Sequence, residues 1–179
     1  VTGTGIETEW SDNIIVNSVV KCSRAGIVMG PGGMENLVSG VHFWVACDGL
    51  GDGDVRTAIG LQGGTRVFNC QFDRGNQVQV FQPENVLVEG STFHGGLSGM
   101  VLRTSAWAQN PFVIRHLTVR SNLFHLHPPS KLPSGIWTVG NFSREQVNES
   151  VVADNMFANS SMALGTRAST VVTISETTD

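Results

Sequence analysis

Tyrosine is absent from this chain of 179 residues, and charged side chains make up only 15% of it, well below the quarter that is usual in globular domains. Lysine and glutamate, which favour exposed helices, are scarce. The formal net charge of −4 argues against a nucleic-acid-binding protein, because such a protein needs a basic surface. No apolar run approaches the roughly 18 residues that a membrane-spanning helix requires. We therefore expect no nucleic-acid partner and no membrane span.

Cysteine is also scarce, with Cys22, Cys47 and Cys70 as its three occurrences. An odd count leaves at least one thiol unpaired, so these residues do not form the disulfide framework of a small secreted domain. The chain begins at Val1 without a signal-like segment, and we expect it to be an excerpt of a longer chain.

Three sequons for N-glycosylation occur, at Asn141, Asn148 and Asn159. A chain this rich in Asn, Ser and Thr contains sequons by chance, so they favour a secreted glycoprotein only weakly. If they are used, they lie in accessible loops.

Glycine, in contrast, is abundant: 21 of 179 residues, against an average of about 7%. Valine, Asn, Ser and Thr are plentiful as well. This composition is typical of short strands joined by tight turns.

The strongest signal is an internal repeat. Six segments share a short alternating apolar run, a small polar pair and a final large apolar residue. They are NIIVNSVV (13–20), NLVSGVHF (36–43), TRVFNCQF (65–72), NVLVEGSTF (85–93), HLTVRSNLF (116–124) and ESVVADNMF (149–157). Their final residues recur at intervals of 23, 29, 21, 31 and 33 residues, and the longer intervals contain insertions at 44–57 and 125–134.

A second apolar run, usually introduced by glycine, follows each segment, as in GIVM (26–29) and GIWTV (135–139). The combined period suits three short strands per turn of a stack, in which successive turns bury a common core. We then expect the final residues to form one buried aromatic column: Phe43, Phe72, Phe93, Phe124 and Phe157. Small polar residues two positions earlier should form a ladder of hydrogen bonds at a tight turn, with Val41 as the exception: Ser18, Cys70, Ser91, Asn122 and Asn155.

The repeated pattern, apolar-x-apolar-x-x-Asn-x-Phe followed by Gly-Ile-x-Leu, resembles the right-handed parallel β-helix superfamily of pectate lyases and phage tailspikes. The resemblance covers residues 10–175, about six turns of the repeat. It implies an all-β, right-handed, single-stranded parallel β-helix that forms one domain over 1–179. The insertions at 44–57 and 125–134 are then loops of the T3 type, which follow the third strand of a turn. A β-sandwich, which also has many short strands, is the alternative.

The residue after each Phe should point away from the core, because side chains alternate along a strand. This places Asp73, His94 and His125 in one outer column on three consecutive turns, near enough for a carboxylate–imidazole hydrogen bond. Such a group suits proton transfer, and we predict these three as catalytic residues. The same three side chains also suit a metal ion. The alternative is an ordinary polar strand surface.

The first strand of each turn offers a second outer face, which carries Gln79, Phe81, Arg103 and Trp137. Exposed aromatic rings stack on sugar rings, and a guanidinium group binds a carboxylate through two hydrogen bonds. We predict substrate binding here. A subunit seam is the alternative, since an apolar strip is equally typical of a homo-oligomer.

A glycine-rich loop carries three carboxylates, Asp48, Asp52 and Asp54. Their oxygens suit Ca²⁺, and calcium is the cofactor that we consider for this chain. The EF-hand order is absent, however, because its twelfth position is Ile59. A solvated turn is the alternative.

The sequence departs from two β-helix enzymes. It lacks the Arg-x-Pro-x-x-Arg motif of pectate lyases and the paired Asp motif of polygalacturonases. We therefore expect an extracellular, or cell- or virion-surface, protein that engages polysaccharide, either as a binder or as a lyase, epimerase or hydrolase of acidic glycans in another group. The alternative is a non-catalytic spike, stalk or adhesion segment, including a trimeric one. Fold membership leaves open whether the chain is an enzyme.

Overall fold

The computed structural model describes thirteen stretches of the chain, and the account below concerns these residues. They are 4–8, 11–22, 25–29, 35–45, 57–61, 63–73, 76–81, 85–95, 98–103, 114–125, 134–139, 147–158 and 162–166. No helix long and apolar enough to cross a membrane occurs among them.

Regular structure in the described residues consists of β-strands, most of which belong to three sheets. Sheet A contains β1 (Thr4–Thr8), β4 (Ala25–Met29), β7 (Thr57–Leu61), β10 (Asn76–Phe81), β13 (Ser98–Arg103), β17 (Ser134–Val139) and β21 (Met162–Thr166). Sheet B contains β2 (Ile14–Val16), β5 (Leu37–Ser39), β8 (Arg66–Phe68), β11 (Leu87–Glu89), β15 (Thr118–Arg120) and β19 (Val151–Ala153). Sheet C contains β3 (Val19–Cys22), β6 (His42–Val45), β9 (Gln71–Asp73), β12 (Thr92–His94), β16 (Leu123–His125) and β20 (Met156–Ala158). A short pair is formed by β14 (Ile114–Arg115) and β18 (Val147–Asn148).

The chain passes through sheets A, B and C in the same order again and again, and strands from successive passes are neighbours in each sheet. We call one strand of sheet B with the next strands of sheets C and A a repeat. All pairings between the described strands are parallel. A β-sandwich is built from antiparallel sheets, so it does not fit. The arrangement is compatible with a β-helix or another solenoid.

The predicted aromatic column is confirmed in sheet C. Four of its rings are fully buried, and all five stack face to face with centroids 4.6–4.9 Å apart and planes within 8° of each other: Phe43, Phe72, Phe93, Phe124 and the partly buried Phe157. The spacing equals the distance between neighbouring strands. Strand pairing therefore imposes this parallel stacking on rings that otherwise prefer offset or edge contacts.

Sheets A and B contribute further columns to the same core. In sheet B, Val38, Val67, Val88 and Val119 are register partners with no exposed surface. Their β-branched side chains suit a strand that is buried on one face. Sheet A contributes Ile27, Val78 and Met100, which are also fully buried. The core thus lies among the three sheets and continues from one repeat to the next.

The turns from sheet B to sheet C use left-handed backbone conformations in every repeat, with φ between 48° and 62°: Asn17, Gly40, Asn69, Gly90, Ser121 and Asp154. Asn tolerates this region better than most residues, and Gly tolerates it freely. A Cβ atom at Gly40 would lie 2.6 Å from Asn17 Oδ1, and one at Gly90 would lie 2.6 Å from Asn69 Oδ1. Both positions require glycine because of φ and because the preceding repeat fills the space.

The predicted polar ladder is present at the same turns for Ser91, Asn122 and Asn155, whereas Ser18 Oγ donates to Val16 O and Cys70 joins the ladder only through its backbone N–H. Ser91 Oγ accepts a hydrogen bond from Cys70 N (3.1 Å), Asn122 Oδ1 accepts one from Ser91 N (2.9 Å), and Asn155 Oδ1 accepts one from Asn122 N (3.0 Å). The side-chain amide of Asn122 also donates a hydrogen bond, from Nδ2 to Asn155 Oδ1 at 2.9 Å. Each side chain therefore satisfies a buried backbone donor of the neighbouring repeat, and the polar groups enter the core without loss of hydrogen bonds.

Burial raises the pKa of the Cys70 thiol, and backbone hydrogen bonds at Val41, Gly40 and Phe68 offset part of that effect. Cys70 is a free thiol that is only 2% exposed. In a variant without Cys22 and Cys47, we expect alkylation of Cys70 at pH 8 to be far slower in the native protein than in denaturant.

The same shift predicts a pH dependence of stability. Below the unfolded thiol pKa of about 8.5, Cys70 is protonated in both states and the pH does not change stability through it. Above that pH the thiol ionises more readily in the unfolded chain, so the free energy of unfolding falls. Urea unfolding at pH 7 and pH 10 measures this loss, and Cys70→Ala should lose less stability between the two pH values. Alkylation at the denatured rate in native buffer would contradict the burial of the thiol.

Candidate functional site

The residues that follow the Phe column form one register column on sheet C. Trp44, Asp73, His94 and His125 are successive partners on β6, β9, β12 and β16. Because their Phe neighbours are buried, these side chains lie on the opposite, outer face of the sheet. The structure thus brings together the three residues predicted to be catalytic.

Asp73 lies at the centre of this group. His42 Nε2 donates to Asp73 Oδ2 at 2.5 Å, and Gln71 Nε2 is 3.2 Å from both carboxylate oxygens. His94 Nδ1 is 4.0 Å from Asp73 Oδ1, which is the distance of an ion pair rather than of a hydrogen bond. The Asp73 side chain is 22% exposed, so the carboxylate is accessible but partly shielded.

His125 extends the group by one repeat. Its ring meets the His94 ring edge-on, with centroids 5.2 Å apart. The side chain of His94 is 47% exposed and that of His42 is 33% exposed. We call His42, Asp73, His94 and His125 the Asp73 cluster; it presents three imidazoles and one carboxylate to the surface.

An aromatic ring borders the Asp73 cluster. Trp44 is 43% exposed, and its ring lies nearly parallel to that of His42 with centroids 6.2 Å apart. Lys21 Nζ lies 5.2 Å from the centroid of the Trp44 ring, within the range of a cation–π contact. The outer face of sheet C therefore combines a flat apolar surface with hydrogen-bonding groups.

His42 is the member that the sequence did not reveal. It stands two positions before Trp44 and pairs in register with Gln71 rather than with Asp73. Its contact with Asp73 is therefore diagonal between neighbouring strands, a geometry that long side chains can bridge. A search for polar residues on diagonal as well as direct register positions would have found it.

Two further ion pairs, also between neighbouring repeats, were not predicted. His116 Nδ1 lies 2.9 Å from Glu149 Oε2, and Arg120 donates to Glu89 Oε2 at 3.0 Å. Both pairs lie largely at the exposed surface, where they contribute little to stability.

Metal binding receives no support from the described residues. No group of three or more His, Cys, Asp or Glu side chains among them has a geometry that could hold a metal ion. The metal alternative for Asp73, His94 and His125 therefore does not fit. The predicted calcium ligands Asp48, Asp52 and Asp54 lie outside the described residues.

The predicted substrate-binding residues belong to sheet A, where the backbone register is defined. Phe81 on β10 pairs with Arg103 on β13, while Gln79 on β10 pairs with Val101, whose partner on β17 is Trp137. The four positions thus occupy two neighbouring columns over three repeats. We call them the first-strand face.

The sequons are only partly covered by the structure. Asn148 ends the two-residue strand β18 and pairs with Arg115, whereas Asn141 and Asn159 lie outside the described residues.

Neither a protein-family model, nor a curated protein, nor a solved structure matches this chain; the geometry of the Asp73 cluster and of the first-strand face is what bears on its function.

Proposed function

We propose that this chain is a right-handed parallel β-helix of the pectate-lyase-like and tailspike-like kind, and that it engages polysaccharide outside the cell or at a cell or virion surface. The observation that carries the proposal is the Asp73 cluster, in which one carboxylate lies between two imidazoles beside the exposed Trp44 ring. Parallel sheets with a three-strand repeat support the fold.

The composition of this surface suits a sugar. The apolar face of a pyranose ring stacks on an exposed indole, as in other sites where an aromatic ring meets a partly polar ligand. Hydroxyl groups both donate and accept hydrogen bonds, so they match a carboxylate acceptor next to imidazoles that take either role. Lys21 beside Trp44 adds a positive charge that favours an acidic glycan.

Proton transfer is the chemistry that the Asp73 cluster can perform. When His42 Nε2 donates to Asp73, the other ring nitrogen, Nδ1, is the acceptor of the neutral imidazole and can act as a base. His94 or His125, when protonated, can act as the acid. An acid and a base on one surface are what a lyase, an epimerase or a hydrolase of acidic glycans needs.

The first-strand face is proposed as the second contact surface for the glycan. Phe81 and Trp137 supply aromatic rings and Arg103 supplies a guanidinium group within three neighbouring repeats. Its alternative role is a seam between copies of the chain.

A paired measurement on Trp137→Ala separates these two roles. If the face binds glycan, calorimetry with an oligoglycuronate should show binding weakened by about tenfold or more, because stacking on an aromatic ring is lost. The mass measured by light scattering should stay unchanged. Ser39→Ala, a change on sheet B outside the proposed surfaces, is the control and should leave both unchanged. A folded Trp137→Ala protein with wild-type binding would contradict the proposal for this face.

A second candidate function is a non-catalytic adhesion, spike or stalk segment, including a trimeric assembly. It is favoured by large apolar side chains at the surface of sheets B and C, where Ile14 is 70% exposed, Val19 73% and Met156 67%. Apolar surface of this extent is often covered by another molecule. A wild-type mass that corresponds to a trimer, without any turnover of glycans, would favour this function.

A further inference from the structure

A groove lies along the outer side of sheet B, away from the Asp73 cluster and the first-strand face. It encloses about 730 Å³, which is within the range of pockets that bind small ligands. Residues from four successive repeats line it, from Asp12 beside β2 to Asn85 beside β11. At about 4.8 Å per repeat, its length is about 14 Å. We call it the sheet B groove.

A smaller groove of about 290 Å³ shares Arg66 and Asn85 with it and extends the same strip to His116 and Arg120. The combined strip crosses five repeats, or about 19 Å. Its shape therefore suits a linear ligand that lies across the strands, parallel to the direction in which the repeats stack.

Polar side chains form one wall of the sheet B groove. Asp12, Glu35 and Asn85 occupy equivalent turn positions in three repeats, each with a positive φ between 56° and 63°. In the repeat between Glu35 and Asn85 this position is Gly64, where a Cβ atom would lie 2.8 Å from Glu35 N. Since the Glu35 backbone fills the space beside Gly64 and the φ of Gly64 is 70°, this position requires glycine, and this repeat adds no side chain to the polar wall.

Apolar side chains form the other wall. Ile14 is 70% exposed, while Leu37 and Phe68 are half-buried. The groove thus has one polar side and one mainly apolar side, in which Arg66 lies at the register position between Leu37 and Leu87. A strand-forming peptide would gain no backbone hydrogen bonds here, because sheet B is paired from β2 to β19 and the groove lies on its face.

The charges and donors in the groove define the chemistry of the ligand. Asp12 and Glu35 disfavour an anion, and Arg66 disfavours a cation. Asn36 is 1% exposed and lines the groove, and its Nδ2 makes no hydrogen bond within the described part of the chain. That nitrogen is itself buried, so the groups that can reach a ligand are the exposed polar side chains of the groove. Hydroxyl groups suit this mixture, because each one donates to a carboxylate and accepts from an amide or a guanidinium group.

We propose that the sheet B groove is a second binding site, which takes a short linear oligosaccharide of uncharged sugars. The apolar wall contacts the CH faces of the rings, and the polar wall binds the hydroxyl groups. The site goes beyond the proposed function, because it differs from the Asp73 cluster both in position and in the charge of the sugar that it selects.

The test is a titration of the full chain, followed by nuclear magnetic resonance, with cellopentaose, xylopentaose and maltopentaose, and with pentagalacturonate as the charged comparison. We expect saturable shifts of the backbone amide signals of groove residues such as Glu35, Leu37 and Phe68 with at least one neutral probe. Glu35→Gln and Arg66→Gln should each weaken this binding by about tenfold, since each loses a hydrogen bond to a charged group.

Asp154→Asn is the matched control, an exposed position with a positive φ at the opposite turn of sheet B, and it should leave the affinity unchanged. His94→Ala and Trp137→Ala should also leave it unchanged, which separates this site from the proposed function. The proposal is wrong if no neutral probe gives saturable shifts at millimolar concentration, if pentagalacturonate binds more tightly than the neutral probes in the groove, as judged from the same amide signals, or if both groove variants bind like the wild type. A mass that falls to that of a monomer in Ile14→Thr would instead assign the groove to contacts between copies.

Discussion

Replacing Phe93 with alanine is expected to lower the free energy of unfolding by about 3–5 kcal/mol. The ring is fully buried between Phe72 and Phe124, with centroid distances of 4.7 and 4.6 Å. Its removal deletes a large apolar side chain and also takes from Phe72 and Phe124 one of the two rings on which each of them stacks. The neighbouring strands cannot close the cavity, because their register fixes the spacing of the repeats.

Urea denaturation followed by circular dichroism measures this loss. Thr92→Ala, a half-buried neighbour on the same strand, is the control and should change stability by about 0.5 kcal/mol or less. Phe93→Leu fills most of the space and should cost less than the alanine variant. A loss below about 1 kcal/mol for Phe93→Ala would mean that the ring does not belong to a packed core.

The buried columns could be predicted from the sequence because parallel pairing repeats one environment in every turn. A Phe that recurs after the same small polar pair occupies equivalent positions in neighbouring strands, so burial of one ring implies burial of the next. The polar ladder followed for the same reason, since Ser91 and Asn122 must satisfy buried backbone donors at the same turn. Periodicity thus sufficed for features that repeat along the chain.

The surface could be predicted only where it shares this periodicity. Asp73, His94 and His125 were found because they follow the Phe column directly. His42 was missed because its contact with Asp73 is diagonal and depends on side-chain length. The sheet B groove was missed because it depends on side chains from turns and strands of different repeats, such as Glu35 and Phe68, which no single column contains.

The largest effect on activity is expected from the Asp73 cluster. If it transfers protons, then His94→Ala should lower the turnover of an acidic polysaccharide by about a hundredfold, the range reported for loss of a positioned acid or base. Asp73→Asn should have an effect of similar size, because it removes the carboxylate that orients His42 at 2.5 Å. The measurement is the initial rate of release of reducing or unsaturated ends by each variant, with native folding checked by circular dichroism.

Comparison of the two histidines tests whether they act together in proton transfer. The His42 ring is fixed by Asp73, whereas His94 is 4.0 Å from the same carboxylate and more exposed. If His42 is the base and His94 the acid, both alanine variants lose turnover, and the double variant loses no more than about the larger single effect, because the two groups act as a unit. Thr92→Ala on the strand of His94 should keep the wild-type rate. If the wild type turns over an acidic polysaccharide and the folded His42→Ala and His94→Ala proteins retain that rate, the Asp73 cluster has no catalytic role. Its hydrogen bonds would then serve only to join neighbouring repeats on the outer face of sheet C.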